Sequence, residues 1–186
     1  FSSFLLSIET PYKQRLIDLT INQLFLDKGD NKYHIFSDQY QEHYLSSWKM
    51  FKDNKLLGIG PKNFRERCKE EKYNFSELTC STHPHNIPLQ LLAETGVAGF
   101  TIYFMFLMVI FYFLIRSLIF KLVYKKIILD NFQISILICI TVCFWPLAPS
   151  GNFFNNWNSA INFMPIGMLL WSFRNNIKNS SHFKHL

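Results

Sequence analysis

The order of apolar and polar positions divides the chain into two halves of different character. Val97 to Phe120 reads VAGFTIYFMFLMVIFYFLIRSLIF, 24 residues with Arg116 as the one charge. Such a run is apolar on every side of a helix, and about 20 residues suffice to cross a hydrocarbon core of roughly 30 Å. Phe132 to Pro149 is a second run, 18 residues without charge, near the minimum for a span. A third, Asn158 to Phe173, is shorter and carries Asn162 and Pro165. Taken alone it also suits a re-entrant segment or a buried helix; here it reads as a short span. The pattern predicts an α-helical multi-span membrane protein with about three transmembrane helices, over 96–120, 132–149 and 158–173. Connectors at 121–131 and 150–157 join them, and a tail covers 174–186. Residues 9–95 form a large polar loop. Residues 1–8, beginning Phe-Ser-Ser-Phe-Leu-Leu, read as the end of an earlier span, so the chain is expected to be a fragment of a longer protein.

Within residues 9–95 the pattern becomes amphipathic, which predicts a mainly helical loop. PYKQRLIDLTINQLF sets Leu16, Leu19 and Ile21 among Gln, Asp and Asn, one helix ended by Lys28-Gly29-Asp30-Asn31. A second helix is predicted over 37–54, capped by Ser37 or Asp38, with Tyr40, Tyr44, Trp48 and Phe51 as its packing stripe. Leu56-Leu57-Gly58-Ile59-Gly60-Pro61 lacks the third glycine of a dinucleotide fingerprint and has no βαβ unit around it. It predicts a tight turn and no nucleotide site.

Composition sharpens the division. The chain is 49% hydrophobic and 17% charged, with 20 Phe, whereas soluble domains carry about 25% charged residues. The wealth of aromatics excludes disorder. A net charge of +6 invites a nucleic-acid reading. Its distribution removes that reading: residues 9–95 hold twelve Lys and Arg against twelve Asp and Glu, and the remainder holds seven against Asp130 alone. The excess lies in the connector (Lys121, Lys125, Lys126), in the tail (Arg174, Lys178, Lys184) and at Arg116. Positive residues mark cytoplasmic loops, so both segments face the cytoplasm and residues 9–95 and 150–157 share the outer face. Trp157 suits an interface belt there.

Cys68 and Cys80 flank a short polar stretch, while Cys139 and Cys143 lie within the second run. On an oxidising outer face the first two are disulfide candidates, a loop closure of roughly 3 kcal/mol in the chain-entropy model. A zinc site using Cys80, His83 and His85 is the alternative, although Cys-x2-His-x-His matches no common zinc spacing.

The polar loop ends Cys80-Ser81-Thr82-His83-Pro84-His85-Asn86-Ile87-Pro88, then runs to Gly96 and Gly99. Asn86 is a good N-cap and Pro88 is tolerated in a first turn, so a helix starts here. His85 stands at its positive end, where the dipole disfavours imidazolium and leaves a neutral ring able to accept a proton. A cap residue at a loop-membrane junction is the plainer role for the same histidine. His85-Asn86, nine residues, then Gly96-x-x-Gly99 resembles the His-[Asn/Ser/Gln]-x9-Gly-x-x-Gly pattern of the O-antigen ligase and polymerase superfamily. Arg15-x3-Leu19 resembles a further ligase feature near the start of the loop.

That resemblance implies a membrane-embedded glycosyltransferase of the bacterial inner membrane, independent of metal and of any cofactor, with residues 9–95 as its periplasmic loop. Its partners would be a glycan donor linked to undecaprenyl diphosphate, an acceptor such as lipid A-core, and the bilayer. By position, His85 would activate or orient the acceptor hydroxyl and Arg15 would bind the donor diphosphate. Asn86 is assigned to substrate, and Gly96 and Gly99 to the structure of the motif. Arg65, with Lys62 and Arg67, is a diphosphate candidate by chemistry alone, because a guanidinium fork matches phosphate oxygens. A polymerase or a protein O-oligosaccharyltransferase of the same superfamily differs in acceptor. A transporter part or a non-catalytic envelope protein is the reading from another class.

Overall fold

The computed structural model describes residues 36–182, with side chains to residue 175. Arg15, Leu19, the helix predicted around them and the span end at 1–8 lie outside the described residues. Five helices follow: α1 (Asp38–Asp53), α2 (Phe64–Arg67), α3 (Ile87–Leu122), α4 (Asn131–Cys143) and α5 (Asn156–His182).

α1 packs on α3, but with a different face from the one the aromatic stripe predicts. Its buried residues are His43, Ser46, Ser47 and Met50, while Trp48 is 44% exposed. The two serines are small enough to let the helices approach, and the Ser47 hydroxyl donates back to the His43 carbonyl at 2.8 Å. The aromatics cluster among themselves instead, with Phe36 and Tyr44 rings 5.0 Å apart and Trp48 and Phe51 rings 5.2 Å apart. Beneath α1 lies a small core of Met50, Phe64, Cys68, Tyr73 and Ala93. Cys68 and Cys80 are joined by a disulfide, their Cα atoms 5.3 Å apart.

α3 starts as its sequence predicts. The Asn86 side chain accepts from the Leu89 amide at 3.1 Å, and a proline occupies the first turn. Ten residues on, the helix breaks at Gly96, whose φ of 65° and ψ of −161° belong to glycine. The break frees the Ala93 and Glu94 carbonyls and the Val97 and Ala98 amides, which a continuous helix would pair. Residues 55–60 insert at this point. Ile59 and Gly60 amides donate to Ala93 and Glu94, both at 2.9 Å; Val97 and Ala98 amides donate to Lys55 and Leu56 at 2.8 and 3.3 Å. A Cβ on Gly58 would strike the backbone of Glu94 and Thr95, and one on Gly96 the backbone of Leu56 and Leu57. The expected tight turn is thus a backbone splint for the helix break.

Among the described residues, α3 is the one helix long and apolar enough to cross a membrane, by length and composition. Ile102, Met105 and Tyr112 are exposed on it. The second apolar run is helical only for the 13 residues of α4, about 20 Å at 1.5 Å per residue and short of a bilayer core. It stops at Phe144-Trp145-Pro146, where proline disfavours helical backbone in the residue before it. The third run lies within the 27-residue α5, which carries Pro165 internally. α4 packs on both α3 and α5 around Leu107, Ile136, Leu137, Ile140, Phe144 and Leu169. The Tyr103 hydroxyl donates to the Phe144 carbonyl at 2.7 Å, tying α3 to the end of α4.

The splint sets up a direct comparison. Gly58→Ala and Gly96→Ala are each expected to cost at least about 1–3 kcal/mol and to lower the thermal midpoint of the detergent-solubilised protein. Gly167→Ala, with nothing within 4 Å of its added methyl, is expected to be neutral or to stabilise by up to about 1 kcal/mol. Equal midpoints for all three variants would contradict the splint.

Candidate functional site

Four pieces of chain meet above the start of α3: α1, the stretch 80–86, the region around α2, and the loop 144–155 that joins α4 to α5. His85 adopts φ 58°, the left-handed region in which histidine is enriched among non-glycine residues. That conformation turns its carbonyl to the Ser150 amide, 2.8 Å away. The neighbouring Asn86 amide nitrogen donates to the Pro146 carbonyl at 2.9 Å. Both motif residues are therefore clamped to the α4–α5 loop. Asn86 thus both caps α3 and bridges to that loop.

Three imidazoles gather here. The His85 ring lies 4.1 Å from that of His83 and 5.6 Å from that of His43. Tyr40 stands edge-on to His85 at 5.6 Å. His85 Nε2 pairs with the Ser81 hydroxyl at 3.3 Å. His83 Nε2 is 3.2 Å from the Ser150 carbonyl, and its Nδ1 is 2.8 Å from the Thr82 hydroxyl. A carbonyl only accepts, so Nε2 carries the hydrogen and Nδ1 receives the Thr82 proton. His43 has no exposed surface, and neither ring nitrogen has a hydrogen-bond partner of good geometry.

All three rings are held below the ordinary histidine range. Burial is the first cause in each case, and proximity to His85 adds to it for His43 and His83. The Ser150 backbone opposes the shift at His83 and His85, as the Leu78 backbone does at His43. The neutral ring that the sequence attributes to the helix dipole is thus chiefly a consequence of burial. Neutral imidazole at His85 is the form that accepts a proton.

Beside the histidines opens a cleft of about 660 Å3. Lys62, Arg65, Thr82 and His83 line it. Asn152, Asn155, Asn156, Asn158 and Trp157 of the α4–α5 loop and the start of α5 complete the lining. No carboxylate is among the lining residues. His85 is not part of the lining, but its ring lies 4.1 Å from that of His83, which is. Of the other cations, Arg67 is committed to Glu70 at 2.6 Å, and Arg15 lies outside the described residues. Gly99 is helical, and its missing Cβ leaves room for Thr95, whose hydroxyl donates to Leu91 at 2.7 Å. With Cys80 in the disulfide, the zinc arrangement with His83 and His85 loses its thiolate.

Gln90 and Glu94, which sequence reasoning did not single out, hold the walls together. The fully buried Glu94 carboxylate accepts from the Phe64 amide at 2.9 Å and from Gln90 Nε2 at 3.0 Å. Gln90 Nε2 also donates to Asn152 Oδ1 at 2.9 Å, and its Oε1 accepts from the Phe153 amide at 3.0 Å. One side-chain pair on α3 thereby fixes α2 on one flank and the asparagine loop on the other. The available signal was two polar residues at i and i+4 on a helix about to turn wholly apolar.

Residues 17–104 match the family model described as O-antigen ligase. The matched stretch contains α1, α2, the disulfide and the whole His85–Gly99 motif, and it ends before the asparagine loop. No curated protein and no solved structure matches the chain.

The buried imidazoles also make stability depend on pH. Below about 6.5 an unfolded histidine takes up a proton that the buried ring refuses, so the unfolded state gains relative to the folded one. These groups leave stability unchanged above about pH 7 and reduce it progressively as pH falls below about 6.5. The thermal midpoint is expected to drop between about pH 6.5 and 5, and less steeply in His43→Leu. Parallel pH profiles for the two proteins would show that His43 does not titrate out of range.

Proposed function

We propose that this chain, whose residues 17–104 form an O-antigen ligase family domain, takes part in moving a glycan from undecaprenyl diphosphate to an acceptor hydroxyl, lipid A-core being the favoured acceptor. The site would work at the periplasmic face of the bacterial inner membrane, where such a donor is presented. One observation supports this most directly. A neutral His85, fixed in a left-handed turn, stands at the start of the chain's long apolar helix and next to a basic, amide-rich cleft.

The chemistry follows from those groups. The acceptor oxygen attacks the anomeric carbon as the bond from that carbon to the diphosphate oxygen breaks. His85 takes the hydroxyl proton, and the diphosphate leaves with the bonding electrons. General-base assistance of this kind contributes about 10²–10⁴-fold. Cations near the leaving group stabilise the charge it acquires. Arg65 and Lys62 line the cleft; Arg65 has only a loose, exposed contact with Glu66 at 3.5 Å, whereas Arg67 is held by Glu70 at 2.6 Å. Arg15 is the further donor-binding arginine that the ligase pattern nominates. No metal has a role in this scheme.

In the full-length protein, His85→Ala is expected to insert and fold as the wild type does while losing transfer by at least about 100-fold. Transfer at the wild-type rate would remove the base assignment. Arg15→Ala is expected to impair donor use more than Arg15→Lys, and equal defects would argue against bidentate phosphate binding. In a deletion strain, polymer that stays lipid-linked and never reaches lipid A-core marks a ligase; single repeats on the core mark a polymerase.

A further inference from the structure

The asparagine loop that shares the cleft with Lys62 and Arg65 has no part in the proton transfer, and it lies outside the family-matched residues. Its side chains are nonetheless set out in a definite way. Asn155 Oδ1 accepts from the Trp157 amide at 3.0 Å, which leaves its Nδ2 without a partner among the described residues. Asn158 Nδ2 donates to the Asn152 carbonyl at 3.3 Å, which leaves its Oδ1 in the same condition. Asn152 is itself held by Gln90 and by the Phe154 amide, each at 2.9 Å, so the loop is braced from inside. Trp157 presents its indole with 80% of its surface exposed, on the rim of the cleft.

We infer that this cleft is a binding site for a phosphorylated hexose, with the phosphate on Lys62 and Arg65 and the sugar ring between Trp157 and the amides of Asn155 and Asn158. Sugar hydroxyls both donate and accept, and the two free amide groups supply one of each. The apolar face of a pyranose matches an indole. Lys62 and Arg65 suit a phosphate, which ammonium and guanidinium groups bind with charge-assisted hydrogen bonds, and the exposed 3.5 Å contact of Arg65 with Glu66 is loose enough to yield to it. The volume falls in the range of about 300–1,000 Å3 usual for small-ligand sites. Lys62 holds φ 63°, a conformation uncommon for a side-chain-bearing residue, in the turn that presents it to the cleft.

The inference rests on the glycan-transfer function but can fail separately from it. The same chemistry is found in the sugar diphosphate of a carrier-linked donor and in a phosphorylated acceptor sugar. The full-length protein in detergent is titrated calorimetrically with inorganic phosphate, glucose 1-phosphate and glucose 6-phosphate. Both sugar phosphates are expected to bind at least about tenfold more tightly than inorganic phosphate. Preference for the 1-phosphate assigns the cleft to the donor end, and preference for the 6-phosphate to the acceptor. Trp157→Ala is expected to remove the sugar advantage and leave phosphate binding unchanged, while Trp157→Phe restores most of it. Lys62→Ala and Arg65→Ala are expected to weaken all three ligands, and Arg67→Ala none.

Phosphate binding as tightly as the sugar phosphates, or Trp157→Ala matching the wild type, would overturn the site and leave Trp157 as an interface anchor. His85→Ala should bind sugar phosphates normally. A wild-type protein that transfers glycan yet binds no sugar phosphate loses only the cleft assignment. One in which His85→Ala transfers normally while the cleft binds loses only the base.

Discussion

The described structure depends on an exchange of backbone hydrogen bonds at Gly96. The long apolar helix gives up two of its own backbone pairings there, and the segment 55–60 takes over the four groups set free. Buried amides and carbonyls left unpaired are costly, so the break exists only while the splint is in place. The exchange fixes α2 and its cations against α3, and it does so through main chain. Neither Gly58 nor Gly96 can carry a side chain there, since a Cβ on each would strike the backbone of the opposite segment.

The polar network above the break extends the same logic to side chains. Glu94 and Gln90 convert one face of α3 into a bracket that holds both walls of the cleft at fixed separation. The histidines sit beside that bracket, where burial favours their uncharged form. Their positions are thus set by main-chain and side-chain bonds from several elements at once.

The organisation of the chain was legible in its sequence to an uneven degree. The apolar run after Val97 announced a helix long and apolar enough to cross a membrane, and Asn86 and Pro88 announced its start, because capping and hydropathy are local properties. The His85–Gly99 spacing pointed to the family whose model residues 17–104 match. The face that α1 buries was misjudged, since aromatic stripes attract attention while Ser46 and Ser47 decide how closely two helices approach. Gly58 and Gly60 looked like an ordinary turn, and nothing local reveals that their partners lie some 35 residues onward at the helix break. The second apolar run gave no warning that helix stops at Cys143, although Pro146 supplies the reason. His43 was unremarkable in sequence, for its neighbours on the rings of His83 and His85 are distant in the chain.

The clamp between the motif and the α4–α5 loop has a further consequence. His85 is held through its carbonyl by Ser150, and Asn86 through its amide by Pro146. The loop that makes both bonds is carried by α4 and α5, so a small tilt of either helix displaces the imidazole. The natural unit of exchange between relatives is then a composite one. A chimera that keeps its own histidine turn but receives a foreign α4–α5 pair would inherit an imidazole aimed by the wrong loop.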